Sequence, residues 1–318
     1  MGEIIAVLAA LFFATSHVLV KKGSSGQSQD NGTFLSLFLT LALALIFWIL
    51  WRQVFPYPID YTNPEGVLWF VLGGVFSTYL GRTWVYMSIQ RIGSVRNSAI
   101  AKLNPFFTVF LAAFILGESF TASKTLGMLL VFSGVFIAAR QSMLLAEKSR
   151  IQKNEEQLHN RSIGELIRKA VIMTVRSGIY YGPLSALAYA LGNTFRKKGV
   201  LVIADPIFGT IVGALVGTVF FLVMAMFKPQ YRKSVIVTFT RFHPALFFAG
   251  LLMSLGQIFY FVSLNFIEVS RATLIVTLDT AFAMIVSSWV FKTYENITPM
   301  TIVSALLTVI GAIVIILY

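Results

Sequence analysis

Long apolar runs separated by short polar segments dominate this chain. Ten runs approach the roughly 20 residues that an α-helix needs to cross a bilayer: Ile4–Val20, Thr33–Trp51, Gly66–Ile89, Ser98–Leu116, Ser123–Ala139, Ile179–Phe195, Pro206–Phe227, Pro244–Phe266, Ala272–Phe291 and Met300–Tyr318. The runs are continuous rather than alternating, which is typical of membrane helices and not of membrane strands. The pattern predicts an all-α membrane protein with ten transmembrane helices.

One polar stretch interrupts the runs near the middle of the chain. It occupies residues 142–178 and separates five predicted spans in residues 1–141 from five in residues 179–318. Apolar residues within it are spaced as on one face of a helix: Ile163, Leu166, Ile167 and Val171. This spacing suits either a short amphipathic helix on the membrane surface or a solvated linker.

The two halves resemble each other at a nearly constant offset of 175 to 177 residues. Leu8-Ala9-Ala10-Leu11 matches Leu184-Ser185-Ala186-Leu187, Lys21-Lys22-Gly23 matches Lys197-Lys198-Gly199, and Gly81, Ser88, Ile92 and Arg96 match Gly256, Ser263, Ile267 and Arg271. Because five spans per copy is an odd number, the second copy must enter the membrane from the opposite side. We therefore predict two inverted five-helix repeats, an architecture of secondary transporters.

Motifs at corresponding places in both halves point to a known family. The first half carries Arg96, Leu103-Asn104-Pro105, Gly117-Glu118, Gly127 and Gly134, and the second carries Arg271, Leu278-Asp279-Thr280, Glu295 and Gly311. This set resembles the EamA-type branch of the drug/metabolite transporter superfamily. The resemblance implies two five-helix copies that transport amino acids, amphipathic drugs, sugars or other metabolites. The second half departs from the pattern, since Thr280 replaces the expected Pro and Ser304 stands opposite Gly127.

Composition narrows the class of protein further. The chain has 318 residues, of which 57% are hydrophobic and 12% charged, whereas soluble domains carry about 25% charged residues. The net charge of +12 lies mostly between the apolar runs, where it orients membrane proteins, so it does not indicate a nucleic-acid partner. The chain has no Cys, three widely separated His, and no P-loop. We therefore expect no enzyme activity, no metal and no cofactor.

The third predicted span carries a polar and aromatic stripe. Spacings of three, four and four residues place these side chains on one helical face: Tyr79, Arg82, Tyr86 and Gln90. The second half repeats the stripe 175 residues later, at Ser254, Gln257, Phe261 and Asn265. Such stripes suit a largely apolar pocket in which Arg82 binds an anionic or zwitterionic molecule. The alternative is that the Arg82 side chain extends to the lipid headgroups, beside tyrosines at the membrane interface.

One acidic residue, Asp279, lies deep in a predicted span. An ionisable group there costs about 2.5–3.5 kcal/mol on insertion scales, so Asp279 is a candidate for ion coupling by exchange of a proton or pairing with a cation. The alternative is a structural ion pair with Lys102 across the repeat interface. Asn104 occupies the matching position in the first half. We include Lys102 and Asn104 among the candidate substrate-binding residues.

Polar residues in the first and sixth spans complete the candidate site. His17 lies near the end of the first span and Asn193 matches it in the sixth. A histidine can titrate near neutral pH, which makes His17 a candidate, although a satisfied structural donor is the commoner role of a lone His. Glu118 and Glu295 stand at helix junctions, where we expect them to cap the following helices.

These features together predict a secondary transporter. It would move a small organic metabolite, for example an amino acid or another carboxylate or aromatic compound, by alternating access between the two repeats. The expected partners are the substrate, the lipid bilayer and H⁺ or Na⁺, with a homodimer as a compatible assembly in the plasma (inner) membrane. Two alternatives stay open. One is an intramembrane enzyme that acts on a lipid-linked substrate, and the other is a non-transporting membrane scaffold.

Overall fold

The computed structural model describes residues 1–24, 32–54, 59–92, 100, 103–119, 122, 125–137, 140, 180–279, 281–283, 285–286 and 299–317. Within these ranges all regular elements are helical. The α-helices are α1 Gly2–Ser24, α2 Thr33–Val54, α3 Pro64–Gly73, α4 Arg82–Ile92, α5 Leu103–Leu111, α6 Thr125–Ile137, α7 Tyr181–Val202, α8 Pro206–Phe227, α9 Pro229–Thr240, α10 Pro244–Ser263, α11 Val269–Val276 and α12 Pro299–Leu317. Two π-helical segments continue α-helices: π1, Gly74–Gly81, joins α3 to α4, and π2, Ala112–Leu116, follows α5.

The surface of the described helices is that of a membrane protein. Four helical segments are long and apolar enough to cross a bilayer: Gly2–Val20, Thr33–Gln53, Pro206–Phe227 and Pro244–Ser263. Large apolar side chains project outward from the helices, such as Phe114, which is 75% exposed, and Met226, which is 81% exposed. Contiguous apolar surface of this kind marks contact with lipid or a partner.

Helix boundaries agree with the sequence pattern where capping signals are strong. The predicted span Pro206–Phe227 coincides with α8. Asp205 caps this helix by accepting a hydrogen bond from the Phe208 N–H at 2.9 Å, and Pro206 occupies the first turn, where its missing N–H costs nothing. The pattern overlooked α9, because a short helix with Arg232 and Lys233 among its residues resembles a polar loop.

The predicted end of the sixth span is wrong. Helix α7 continues beyond Phe195 to Val202, so Arg196 lies inside the helix and not in a loop. Small residues make this possible, because a Cβ added at Gly73 or Gly213 would overlap the Arg196 side chain. Arg196 therefore occupies the space between the helices that Gly73 of α3 and Gly213 of α8 leave open because glycine has no side chain.

The third span is not a uniform α-helix. Segment π1 follows Gly73, and the backbone there approaches α8 so closely that a Cβ on Gly74 would lie 2.7 Å from the Gly213 Cα. A π-helical segment rotates the residues on either side of it relative to the 3.6-residue period, and such segments are frequent at functional sites. Residues on opposite sides of π1 therefore do not share the faces that a uniform 3.6-residue period predicts.

The ninth span, predicted as continuous from Ala272 to Phe291, is interrupted. Helix α11 ends at Val276, and the N–H groups of Thr277 and Leu278 then donate to carbonyls three residues earlier, at 3.1 and 3.0 Å. The Thr277 hydroxyl also donates to the Leu274 carbonyl at 2.6 Å. These local bonds compete with the helical pattern. Asp279 comes directly after the interruption.

The two halves pack against each other along extended helix pairs. Helix α1 lies along α10, and α7 lies along the continuous α3, π1 and α4. Helices α6 and α12 meet at glycines: a Cβ on Gly127 would lie 3.0 Å from the Gly311 carbonyl oxygen, and a Cβ on Gly311 would lie 2.8 Å from that of Gly127. Small residues at such contacts are typical of membrane helix packing.

Candidate substrate cavity

A cavity of about 180 Å³ lies between the two halves of the chain. Its wall is formed by α1, π1, α4 and α5 from the first half, and by α7, α10, α11 and the turn after α11 from the second. This volume far exceeds what one water molecule requires. The lining is mostly apolar and aromatic with a few polar groups, which is the usual character of a small-molecule site.

The structure brings most of the predicted site residues to this cavity. Seven of the ten line it: His17, Arg82, Asn104, Asn193, Gln257, Phe261 and Asp279. Tyr79 and Tyr86 do not line it, and Lys102 lies outside the described residues, as do the predicted surface helix of the central loop and Glu295.

Tyr79 lies away from the cavity, in an apolar cluster. It packs there with Phe34, Leu37 and Phe221, and its ring is 5.4 Å from that of Phe220. A uniform period of 3.6 residues per turn predicts that Tyr79 lies on the same face as Arg82. Tyr79 belongs to π1, whose wider turn rotates it off that face. Tyr86 is buried on α4 but not at the cavity wall.

Arg82 is buried and held by neutral acceptors. Its side chain is 1% exposed, so the alternative in which it extends to lipid headgroups is wrong. Nη1 donates to Ser36 Oγ and Thr40 Oγ1, both at 3.1 Å, and Nη2 donates to Gln257 Oε1. The Thr40 and Ser254 hydroxyls share a further hydrogen bond of 2.9 Å. Arg82 thus ties α2 and α4 to α10 without a carboxylate partner.

Arg196 is a second buried cation, and the sequence analysis missed it. It is 2% exposed, and its guanidinium carbon lies 3.9 Å from the centroid of the Phe261 ring, which lines the cavity. Nη2 donates to Thr78 Oγ1, whereas Nε and Nη1 have no hydrogen-bond partner among the described residues. Spacings of four and three from Tyr189 and Asn193 to Arg196 could have revealed it, because they place all three on one face.

The two arginines give this wall an uncompensated positive charge. Across the residues that the structure describes, no Asp or Glu oxygen lies within 4.0 Å of either guanidinium. The two cations are close enough to repel each other and to interact with Tyr189. Buried charges are normally paired, since removing an ion from water costs several kcal/mol. The arrangement therefore departs from an ordinary structural core.

At another part of the cavity wall, a histidine and a carboxylate, His17 and Asp279, approach each other. His17 Nδ1 lies 4.0 Å from Asp279 Oδ2, and the two side chains are 52% and 19% exposed. Both line the cavity, together with Asn104, whose Oδ1 accepts a hydrogen bond from Thr108 at 2.9 Å. A histidine and a carboxylate at this distance attract each other only when the histidine is protonated, so the contact depends on protonation.

A polar network joins the two halves at the end of the bundle that holds the N-terminus. Glu118 accepts hydrogen bonds from the N–H groups of Val269 and Ser270, at 2.9 and 3.3 Å, and from the Ser270 hydroxyl. Next to it, within the second half, Lys197 Nζ donates to the Ile267 carbonyl at 2.9 Å and to that of Leu264. Glu118 therefore caps α11 of the second half, not the helix that follows Glu118 in sequence, as we had expected. The carboxylate suits this place because the helix N-terminus is positive.

Metal binding finds no support in the described ranges, which hold no group of three or more His, Cys, Asp or Glu side chains near enough to bind one ion. The cavity is lined by Arg82, by His17 and Asp279, and by aromatic rings, one of which, Phe261, also contacts Arg196. These groups can bind a small charged molecule without changing it chemically.

Comparisons with known proteins agree with this picture. The EamA-like transporter family matches residues 1–140 and 176–317. A probable transport protein of Saccharomyces cerevisiae is 30% identical over 88 residues, which span 28% of this chain and only a quarter, 25%, of the yeast protein. A solved crystal structure superposes with a TM-score of 0.59 and 15% identity over 99% of this chain and 96% of its own, which shows a shared fold.

The chain is thus an integral membrane protein of a transporter class. It belongs to the EamA-like transporter family, as its motifs predicted. Membership in this family points to a transporter of small molecules rather than to an enzyme.

Proposed function

We propose that this protein is a secondary transporter that moves a small organic metabolite across the membrane by alternating access. In this proposal ten spans form two inverted five-helix repeats, residues 1–141 and 179–318, joined by the central loop. The substrate binds in the cavity between them. Rocking of one repeat against the other would expose the cavity first to one side and then to the other.

The observation that carries the proposal is that equivalent residues of the two halves meet at the cavity. Three pairs with the repeat offset line it: His17 with Asn193, Arg82 with Gln257, and Asn104 with Asp279. Arg82 and Gln257 are hydrogen-bonded to each other. Equivalent positions approach each other near a two-fold axis, so this pairing supports an inverted repeat with the site at its centre.

The lining favours a substrate with a charged and an apolar part. Arg82 offers a planar cation suited to a carboxylate, and Tyr260 and Phe261 offer aromatic surface on the same wall. An amino acid or another carboxylate or aromatic compound fits this combination. The likeness to a probable transport protein of yeast agrees with transport but does not identify the substrate.

Ion coupling is assigned to Asp279. Its approach to His17 gives the cavity a pair whose charge changes with proton binding. In the proposal, H⁺ or Na⁺ binds here and links substrate movement to an ion gradient. The proposal places the protein in the plasma (inner) membrane, as a monomer or a homodimer.

A metabolite panel tests the function. Purified protein is screened for compounds that raise its thermal midpoint, because binding to the folded state stabilises it by mass action. Each hit is then offered, radiolabelled, to proteoliposomes. We expect one chemical class to bind and to accumulate unchanged inside the vesicles. Recovery of a chemically altered product by mass spectrometry would instead establish an intramembrane enzyme, and binding without any uptake would leave a sensor or scaffold.

A further inference from the structure

Among the described residues, buried polar groups without a hydrogen-bond partner are concentrated around the two arginines beside the cavity. Nine buried side-chain N or O atoms of the described residues lack a hydrogen-bond partner, and four of the nine belong to one cluster: Arg82 Nε, Arg196 Nε, Arg196 Nη1 and the Tyr189 hydroxyl. The three guanidinium atoms can only donate a hydrogen bond, whereas the Tyr189 hydroxyl can also accept one and interacts with Arg82. A buried donor without an acceptor costs about 1–3 kcal/mol, so the cluster lacks an acceptor that several donors could share.

The spacing of the two guanidinium groups suits a single shared ligand. Arg82 Nη2 donates to Gln257, and Arg196 stacks on Phe261. These two contacts are four residues apart on α10, which is about 6 Å of helix rise. Tyr189, on the facing helix α7, interacts with both arginines. An oxyanion group between the guanidiniums would be within reach of both.

Phe261 contacts both Arg196 and the cavity. Its ring lines the cavity, and the guanidinium carbon of Arg196 lies over the ring, 3.9 Å from the centroid. Such a cation–π contact contributes about 0.5–2 kcal/mol, whereas charge-assisted hydrogen bonds to an anion are among the strongest in proteins. An anion that enters the cavity would therefore replace the ring as the partner of Arg196.

We propose that Arg82 and Arg196 together bind a doubly charged oxyanion group of the transported substrate, and that this group displaces the Phe261 ring from Arg196. A phosphate monoester or a dicarboxylate carries the charge that balances both guanidiniums. The neutral partners of Arg82 stabilise its position but leave its charge free to attract the anion. That the bound anion is a transported substrate rests on the proposed function, whereas the binding site itself is tested independently of transport.

Low concentrations of simple anions test the site on the purified full-length protein. Sulfate and succinate are compared with acetate at equal ionic strength in the millimolar range, because high sulfate stabilises folded proteins in general. We expect the two dianions, and not acetate, to raise the thermal midpoint of the wild type. The shift should vanish in Arg196→Gln and persist in Arg241→Gln, which removes an exposed cation after α9. An equal response to acetate, or a wild-type response in Arg196→Gln, would overturn the proposal.

A second measurement separates a binding role of Arg196 from a structural one. Without ligand, Arg196 is a buried charge with no counter-ion in the part of the chain that the structure describes, so Arg196→Met should raise the midpoint of the free protein while it abolishes the sulfate shift. A structural arginine gives the opposite result, a lower midpoint in Arg196→Met, which would contradict the proposal. Phe261→Ala removes the ring that contacts Arg196 and should bind sulfate at least as tightly as the wild type.

Two further results separate this inference from the proposed function and from a lipid ligand. Arginine-dependent binding of succinate without uptake of any dianion by proteoliposomes would support the site and refute transport. Uptake of a neutral compound that is unchanged in Arg196→Gln would support transport and refute the site. A midpoint shift with micellar phosphatidate but with no soluble dianion would assign the doubly charged group to a lipid headgroup and overturn the assignment to a soluble substrate.

Discussion

The cavity has two charged regions that are built in opposite ways. At the arginine wall, Arg82 and Arg196 are almost completely buried, permanently charged and without a carboxylate partner among the described residues. At the other region, His17 and Asp279 are partly exposed and approach each other to 4.0 Å. One region has a fixed charge, and the other has a charge that depends on protonation.

In the proposed mechanism, this difference separates two tasks, substrate binding and ion coupling. A fixed cation attracts an anionic substrate at any physiological pH, because an arginine does not lose its proton there. A histidine and carboxylate pair responds to pH and so can couple binding to a proton gradient. We therefore expect substrate affinity to depend on the two arginines, and coupling to an ion gradient to depend on His17 and Asp279.

The largest effect is expected at Arg82. Arg82→Gln removes the charge and the hydrogen bonds to Ser36 and Thr40. Losing one partner of a buried charge-assisted contact costs about 2–5 kcal/mol, so substrate uptake should fall by about 30-fold or more. Uptake by proteoliposomes measures this. Arg82→Lys should not restore it, because an ammonium cannot reproduce the planar donor geometry. Normal uptake in a folded Arg82→Gln protein would remove Arg82 from the substrate site.

The second effect is expected at Asp279 and concerns coupling alone. Asp279→Asn removes the titratable carboxylate but preserves its shape. Uptake driven by a pH gradient should be abolished, whereas counterflow exchange without a gradient should continue at a similar rate. Parallel assays of the two modes in the same vesicles separate the two tasks. Gradient-driven uptake that survives in a well-folded Asp279→Asn protein would show that the carboxylate is structural.

A smaller effect is expected at the polar network that joins the halves. Glu118→Gln weakens the cap of α11, because the Glu118 carboxylate accepts hydrogen bonds from the Val269 N–H and the Ser270 hydroxyl. Caps of this kind contribute about 0.5–2 kcal/mol, so the thermal midpoint should fall by a few degrees while substrate affinity changes little. Glu65→Gln is the matched control, because this exposed carboxylate at the start of α3 accepts a hydrogen bond from Trp69 of the same helix, at 3.3 Å, and so does not link the halves. Equal midpoints for the two variants would refute the role of Glu118 as a link between the halves.

The smallest effect is expected at Tyr79. It packs against Phe34 and Phe221 outside the cavity, so Tyr79→Phe should leave substrate affinity within about twofold of the wild type, a free-energy change below about 0.5 kcal/mol. A binding isotherm for the substrate measures this. A large loss of affinity would mean that Tyr79 reaches the site in another conformation, and would restore the stripe predicted from the sequence.

Polar residues within apolar spans could be predicted as site residues because their burial is costly and rarely accidental. This reasoning located Arg82, Asn104 and Asp279, which the structure brings to one cavity. Arg196 escaped it, because Arg196-Lys197-Lys198 has the composition of a loop. Only the packing against Gly73 and Gly213 makes room for that side chain inside the bundle.

Local helix geometry could not be predicted from periodicity. The π-helical segment Gly74–Gly81 has no sequence signal beyond its glycines, yet it decides which face Tyr79 occupies. The turn after α11 likewise depends on the Thr277 hydroxyl bonding to the Leu274 carbonyl. Both departures occur beside the cavity, where function tolerates or requires irregular helices.

Cysteine accessibility tests the central claim, a water-filled cavity that opens alternately to the two sides. The chain has no native Cys, so a single introduced thiol reports without background. Val85 lines the cavity, and Phe114, which is 75% exposed on the outer surface of the bundle, serves as the control. We expect Val85→Cys to react with a membrane-impermeant maleimide from one side of the vesicle, and from the other side once an ion gradient is reversed. Phe114→Cys should stay unreactive in lipid. A Val85→Cys protein that is unreactive from both sides, or reactive from both at once, would contradict alternating access.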